Sequence, residues 1–234
     1  MIDEQGVVYS VRIWNKAITN SLKELNSRFA DRAGKIVDLG GGSGPLSDHV
    51  NKSRFDYIVV DKNLKSLTSS NSDHQRIFSD ITCLPLKDNS VDLAISITCL
   101  QYVDQVRFFQ EARRILKPDG IMAIHENGKY NPFILLARAI QRCIGVFKHD
   151  VWRYRNTIAS YYAPNFCPDG YEVVYQTSTC LITPLLFGLE MIGIASSAGV
   201  LRSLEKVDAI LLKFPPLKKL AFLNIVHFKK ISDI

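Results

Sequence analysis

The chain has 234 residues, of which 47% are hydrophobic and 22% are charged, so it can bury a full core and is not a disordered protein. Its net charge of +6 is mild, and acidic and basic side chains balance over residues 1–100, which disfavours a nucleic-acid-binding protein with a dense basic stripe. Five scattered cysteines form no C-x-x-C pair, so we expect no disulfide framework, no metal site and a reducing cytoplasmic environment.

The first half of the chain alternates predicted strands with predicted helices. Apolar runs predict four buried strands, over residues 36–39, 57–60, 91–97 and 121–124. Helical spacing predicts three helices, over residues 10–30, 45–52 and 108–116, the last of which is ended by Pro118 and Gly120. This alternation indicates an α/β fold with a parallel sheet and helices on both faces.

The second half of the chain has a less regular pattern. It predicts mostly helical structure over residues 131–163, strands over 171–175 and 221–228, and an amphipathic helix over 203–213. Residues 180–201 form an apolar run whose one charge is Glu190. A charge at the centre of a membrane span is costly, so we expect this run to form a helical cap and not to cross a bilayer.

A glycine-rich loop follows the first predicted strand. Gly40, Gly42 and Gly44 let the backbone turn sharply and approach a ligand, and Asp61 ends the next strand, where a carboxylate can accept hydrogen bonds from a ribose diol. The G-x-G-x-x-G fingerprint of dinucleotide sites fails, because its third position is Pro45 or Ser47. The pattern therefore favours a different nucleoside ligand, and an ordinary glycine turn remains the alternative.

These residues carry a resemblance to a known family. The stretch from Ile36 to Ser47 resembles motif I of class I S-adenosylmethionine-dependent methyltransferases, and Asp61 resembles their ribose-binding acid. Further motifs of the same enzymes are matched in order by residues 79–93, 100–103 and 111–120. The resemblance is to the methyltransferase type 11, or ubiquinone-biosynthesis-like, group over about residues 35–126. It implies a Rossmann-like, mostly parallel seven-stranded sheet and S-adenosyl-L-methionine as the cofactor.

The resemblance also implies which residues bind the cofactor: Asp38, Gly40, Gly42, Gly44, Asp61, Asp80, Ile81 and Ser96. In the family, the glycines pass under the methionine part of the cofactor and the acid corresponding to Asp38 braces their loop. Asp61 is expected to hold the ribose hydroxyls, Asp80 to contact the adenine amine, and Ile81 to pack near the ring. Ser96 is expected beside the cofactor, at the end of the fourth strand. Tyr102 stands where the family usually has histidine, which leaves a role for a histidine there in doubt.

Two candidate catalytic residues, His125 and Glu126, end the strand over 121–124, where side chains can face an acceptor pocket. A histidine whose pKa lies near neutrality suits a general base. A packed structural histidine, or catalysis by positioning of the acceptor alone, remains the alternative. Asn131, Pro132 and Phe133 resemble only faintly the N-P-P-Y motif of amino-methylating enzymes, so we interpret them as a turn that begins a helix.

Taken together, the sequence predicts one methyltransferase domain over residues 1–234. Its cofactor-binding core is expected over 35–126, and acceptor-side helices with an apolar helical insertion over 127–220. The expected reaction is methyl transfer by in-line attack on a small-molecule, glycolipid, polysaccharide-precursor or lipid-like acceptor. A non-catalytic binding or partner protein is the alternative. We expect a cytoplasmic protein, and peripheral contact with a membrane surface stays open.

Overall fold

The computed structural model describes residues 33–69, 73–128, 167–186 and 198–231, and positions 19, 22–27, 29, 130–133, 135, 136 and 139. A seven-stranded sheet has the strand order β3-β2-β1-β4-β5-β7-β6. The strands are β1 (Gly34–Leu39), β2 (Phe55–Asp61), β3 (Gln75–Phe78), β4 (Val91–Ile97), β5 (Leu116–Asn127), β6 (Tyr171–Thr179) and β7 (Leu223–Lys230). The predicted α/β fold with a Rossmann-like seven-stranded sheet is confirmed.

Five of the strands are parallel. β1 pairs with β2 and β4, β2 pairs with β3, and β4 pairs with β5, all in parallel. Leu39 lies opposite Val60, and Asp38 lies opposite both Val59 and Ile95. The carboxyl ends of these strands therefore meet at one edge of the sheet, which is where ligands bind in open α/β sheets.

The last strand runs in the opposite direction to its neighbours. A hydrogen bond from Gly128 N to Phe222 O joins the end of β5 to the start of β7, and Lys230 at the end of β7 donates to the carbonyl of Leu116 at the start of β5. The end of β7 also meets the start of β6, because Ile231 N donates to Gly170 O. The sheet is mostly parallel with an antiparallel β7.

The described helices are α1 (Leu64–Leu67), α2 (Gln105–Ile115), α3 (Ala198–Leu211) and α4 (Pro215–Lys218), with 3-10 helices at Pro45–His49 and Leu100–Tyr102. The helix α2 is capped by the Asp104 side chain, which accepts hydrogen bonds from Val106 N and Arg107 N. Its buried face includes Phe108 and Ile115. None of the described helices is both long enough and apolar enough to cross a membrane.

Three elements differ from the sequence predictions. The helix predicted over 45–52 is a five-residue 3-10 helix that directly follows the left-handed residue Gly44, φ 77°. The strand β3 is not predicted from the sequence, because the four residues Gln75–Phe78 are mostly exposed and form no apolar run. The strand β5 begins at Leu116 and incorporates the predicted turn as an irregularity, with Asp119 at φ 61°. The helices predicted over 10–30 and 131–163 lie mostly outside the described residues.

The chain divides into two compact units. The sheet unit comprises Leu22–Glu126, Asn165–Gln176 and Ile225–Ile234, and the helical unit comprises Met1–Ser21, Asn127–Pro164 and Thr177–Asn224. The helical unit has its own apolar cluster, formed by Leu181, Leu212 and Ala221 with Ile182, Leu211, Leu217 and Leu220 packed against it. The division into a cofactor-binding core over 35–126 and acceptor-side helices with a cap over 127–220 stays a prediction. Residues 140–166 and 187–197 of the second segment lie outside the described residues.

Buried Asn131 holds three loops of the helical unit together. Its side-chain nitrogen donates to the carbonyls of Leu181 and Leu220 at 2.8 and 2.9 Å, and also to that of Cys180 at 3.3 Å. The backbone carbonyl of Asn131 accepts a hydrogen bond from Leu135 N, which closes a helical turn. The interpretation of this segment as a turn that begins a helix is confirmed.

Candidate active site

The glycine loop leaves β1 at the edge where the carboxyl ends of the parallel strands meet. Gly40 N donates to Val60 O at 2.7 Å, which continues the pairing of β1 with β2 by one residue. Gly40, Gly42 and Gly44 have φ angles of 77°, 56° and 77°, a region that residues with a Cβ adopt only with strain. These glycines are therefore required by the backbone geometry itself.

The Asp61 carboxylate is bound to this loop. Its Oδ2 accepts a hydrogen bond from Gly42 N at 2.9 Å, and its Oδ1 accepts one from Asn63 N at 2.7 Å. Each oxygen keeps a further lone pair for a ligand. A Cβ built on Gly42 would lie 3.8 Å from Ser66 Cβ and 4.0 Å from Asp61 Oδ2, in ordinary van der Waals contact, so nothing overlaps this position beside the carboxylate. A strand-end carboxylate that can accept further hydrogen bonds fits the ribose of a nucleoside cofactor.

Asp38 lies beneath the loop. A Cβ on Gly41 would overlap the Asp38 carboxyl group, and Tyr57 donates its hydroxyl proton to Asp38 Oδ2 at 2.6 Å. Burial raises the pKa of Asp38 to about 6, against the opposing effect of the Tyr57 hydrogen bond. Burial and the neighbouring Asp38 carboxyl group raise the pKa of Tyr57, so the tyrosine remains the donor. This position suits a residue that braces the loop.

The segment after β3 reaches the same edge. Ser79 N donates to Asp61 O, which places Asp80 and Ile81 next to the end of β2. Asp80 Oδ1 accepts hydrogen bonds from the backbone and hydroxyl of Thr82 at 2.8 and 2.7 Å, and these bonds lower the pKa of Asp80. Ile81 is buried. Their roles at an adenine ring stay predictions.

The loop after β4 packs against the glycine loop. A Cβ on Gly40 would overlap the Cys99 sulfur, so the thiol lies against the glycine. Burial, followed by the charges of Glu126, Asp61 and Asp38, raises the pKa of Cys99 to about 12. The thiol is therefore protonated at neutral pH and is not a thiolate nucleophile.

Two polar features mark the end of β4. Ser96 is fully buried, and its hydroxyl makes no hydrogen bond with any residue that the structure describes. Thr98 has a φ of 51°, which is unusual for a β-branched residue, and its N–H donates to His125 O at 2.8 Å. An unsatisfied buried hydroxyl and a strained residue at one strand end are typical of a ligand site.

The two candidate catalytic residues are both buried at the end of β5. Burial lowers the pKa of His125 to about 4, so its imidazole is neutral at pH 7. Glu126 Oε1 accepts a hydrogen bond from Leu100 N at 2.7 Å and thereby anchors the 3-10 helix after β4. A general base works best with a pKa near the working pH, so burial disfavours strong base catalysis by His125. The catalytic roles of both residues stay predictions.

Several residues at this site were not identified from the sequence. The ring of His227 in β7 stacks on that of His125, with the ring centroids 6.4 Å apart. The ring centroid of Tyr175 in β6 lies 4.7 Å from that of His227. His74 packs edge-on against Tyr57 at 5.6 Å, and a Cβ on Gly44 would come within 2.6 Å of its ring. These contacts join residues on separate strands, so no local spacing in the sequence indicates them. Within the described part of the chain, no group of metal-ligating side chains is placed to hold an ion.

Comparison with known proteins agrees with this geometry. A family model described as a methyltransferase domain matches residues 37–124. The human protein named arginine-hydroxylase NDUFAF5, mitochondrial, is 31% identical over 111 residues, which are 42% of this chain and 32% of that protein. The match therefore spans about a third of the length of this curated relative.

Solved structures share the fold across nearly the whole chain. A candidate sarcosine dimethylglycine methyltransferase from Galdieria sulphuraria has a TM-score of 0.56 at 16% identity and covers 96% of this chain and 89% of its own. Geranyl diphosphate C-methyltransferase from Streptomyces coelicolor, solved with S-adenosyl-L-homocysteine, has a TM-score of 0.56 at 15% identity. The match covers 98% of this chain and 85% of that one. At these identities the likeness shows the fold alone.

Proposed function

We propose that this chain is a class I S-adenosylmethionine-dependent methyltransferase of the type 11 group, with its cofactor domain where the family model matches, in residues 37–124, and that the whole protein methylates a small acceptor. The observation that carries this proposal is the pair of hydrogen bonds that Asp61 accepts from Gly42 N and Asn63 N. They fix the strand-end carboxylate against the glycine loop, and this supports a nucleoside cofactor at this edge of the sheet.

S-adenosyl-L-methionine is the cofactor, and when bound it supplies an electrophilic methyl group on a sulfonium sulfur. Asp61 accepts hydrogen bonds from the ribose hydroxyls, and the absence of a side chain at Gly42 lets the ligand come close to the backbone beside the carboxylate. After burial, the charges of Glu126, Asp61 and Asp38 raise the pKa of the Cys99 thiol that lies against Gly40, so three acidic side chains act at this end of the loop. Their negative charge favours a cationic ligand.

The acceptor that we propose is a small molecule, a glycolipid or polysaccharide precursor, or a lipid-like compound. The mild net charge of +6, with no dense basic stripe in residues 1–100, supports these classes over nucleic acid. Neutral His125 contributes hydrogen bonding or positioning at the acceptor side, and the bulk of the rate enhancement then comes from holding the acceptor in line with the methyl group.

Cofactor binding is tested by titration calorimetry of the purified protein with S-adenosyl-L-methionine. Asp61→Ala removes a charged acceptor of ribose hydroxyls, so we expect Kd to rise by about 10- to 100-fold. Asp56→Ala, at the exposed opposite end of β2, is the matched control and leaves Kd unchanged. Equal affinity of the Asp61→Ala variant and the wild-type protein would rule out this cofactor assignment.

The acceptor is sought by mass spectrometry of extracts from cells with and without the protein. We expect one class of compound to gain the mass of a methylene group only when the protein is present. The search also covers the gain of an oxygen atom, because the human relative is named for arginine hydroxylation. Cofactor binding without any modified product would favour the alternative of a non-catalytic binding or partner protein.

A further inference from the structure

The helix α3 and the turn that follows it expose both apolar side chains and lysines. Within the helical unit, Val207, Ile210 and Phe214 are exposed, and so are four lysines of the same segment: Lys206, Lys213, Lys218 and Lys219. These seven residues are called the basic-apolar face.

The opposite side of α3 fixes the helix to its own unit. Asp208 is buried and accepts hydrogen bonds from Leu181 N, Ile182 N and the backbone and hydroxyl of Thr183. Leu212 joins the apolar cluster beneath the helix. Because this side provides the attachment, the exposed apolar residues are not needed to hold the helix in place.

The apolar part of the face is continuous. Val207 and Ile210 are three residues apart and therefore neighbours on the helix surface, with 41% and 59% exposure. Phe214 follows at 60% exposure, and its N–H donates to Leu211 O, which continues the turn of the helix. Pro215 and Pro216 are exposed directly after it. An aromatic ring and two prolines thus project from a turn that begins and ends with lysines.

The charge on this face has one sign. Residues 199–219 contain two acidic residues, of which Asp208 is buried and Glu205 is half-buried, so this segment has no fully exposed acidic side chain. The four lysines of the face and Arg202 are all exposed. An apolar stripe bordered by cations is complementary to an anionic lipid surface, where the stripe enters the acyl boundary and the cations meet the head groups.

We propose that the basic-apolar face docks this protein on an anionic lipid membrane as a peripheral contact. Phe214 and Ile210 enter the interface, while Lys213, Lys218 and Lys219 bind lipid phosphates. The docking does not depend on the proposed methyl transfer, because every residue of the face lies in the helical unit and none belongs to the glycine loop.

The test is co-sedimentation of the full chain with vesicles of phosphatidylcholine alone or mixed with phosphatidylglycerol. We expect binding to the mixed vesicles, weak binding to phosphatidylcholine, and release by high salt, which screens the charges. The triple change Lys213→Gln, Lys218→Gln, Lys219→Gln should weaken binding by about fivefold per lysine, on the order of 100-fold in all. Phe214→Ser should weaken it as well.

Matched controls are Lys87→Gln and Val173→Ser, an exposed lysine and an exposed apolar residue of the sheet unit, and both should bind like the wild-type protein. Circular dichroism and cofactor affinity of each variant report on folding and on the methyltransferase site, so failure of either proposal is seen separately. Equal binding of the triple variant and the wild-type protein would overturn the membrane assignment. So would a dimer, seen by light scattering, that Phe214→Ser dissociates, because it would assign the face to a second copy of the chain.

Discussion

At the scale of single residues, the cofactor loop depends on a second layer of side chains. Tyr57 holds the Asp38 carboxyl group, and Asp38 lies against Gly41. His74 packs on Tyr57 and against Gly44 at the other end of the loop. The loop is therefore supported by side-chain contacts at two positions, Gly41 and Gly44. Because glycines alone have little preference for one conformation, this support is what keeps the loop in its binding geometry.

The Tyr57 hydroxyl also sets the charge of Asp38. Without it, the loss of a hydrogen bond to a charged group should raise the pKa of Asp38 from about 6 by about one further unit or more. We therefore expect Tyr57→Phe to bind S-adenosyl-L-methionine more weakly as the pH falls from 8 to 6.5, while the wild-type affinity changes less over that range. Calorimetry across this pH range measures the effect.

The neutral product provides the control for this charge effect. S-adenosyl-L-homocysteine lacks the sulfonium charge, so its affinity for Tyr57→Phe should depend less on pH. The groups that face Asp38 are Tyr57 and Asp61 from β2, and Cys99 from the loop after β4. Tyr130→Phe changes an exposed tyrosine outside the sheet unit and should behave as the wild type. A Tyr57→Phe profile parallel to that of the wild type would contradict the role assigned to the hydroxyl.

At the scale of elements, α3 is held by one buried carboxylate. Asp208 accepts three backbone hydrogen bonds and one from a hydroxyl, all from residues 181–183. Backbone donors in a buried segment must be satisfied, and these residues lie outside a regular strand or helix. Asp208 thereby couples the attachment of α3 to the conformation of that segment.

Asp208→Asn should accordingly lower the free energy of unfolding by about 1.5–3 kcal/mol, because it removes the charge and turns one acceptor into a donor that faces N–H groups. Urea denaturation followed by circular dichroism measures this change. Ser203→Ala, on the exposed side of the same helix, should have little effect. Equal stability of Asp208→Asn and the wild type would show that the segment does not depend on this carboxylate.

Buried strands could be predicted from the sequence, whereas an exposed edge strand could not. β4 was predicted at residues 91–97, and the structure gives Val91–Ile97, because a strand buried on both faces has a continuous apolar run. β3 lies at the sheet edge with Phe78 exposed, so no such run marks it. The same holds at the site. The glycine loop and Asp61 are set by local spacing, whereas His74 reaches the loop through the register of separate strands, which spacing in the sequence does not encode.

At the scale of the whole molecule, two buried groups of the sheet unit have opposite effects on folding stability as the pH changes in the acidic range. Folded Asp38 keeps its proton up to a pKa of about 6, above the ordinary value of 3.8, so the folded state binds more protons and stability falls as the pH rises from 4 to 6. His125 has its pKa lowered from 6.5 to about 4, so the unfolded state binds more protons and stability rises over the same range. Each shift corresponds to about 3 kcal/mol, so the contributions of Asp38 and His125 to the pH dependence of the free energy of unfolding largely cancel each other.

Each single substitution should therefore tilt the pH profile of the free energy of unfolding relative to that of the wild-type protein. Between pH 4 and 6, Asp38→Asn should gain about 3 kcal/mol relative to the wild type, because the falling contribution of Asp38 is removed. His125→Gln should lose a similar amount relative to the wild type over the same range, because the rising contribution of His125 is removed. Denaturant titrations at several pH values measure these differences, with the exposed Asp56→Asn and His49→Gln as controls whose profiles should match that of the wild type. If both core variants also kept the wild-type profile, neither group could have the buried, shifted pKa that this prediction requires.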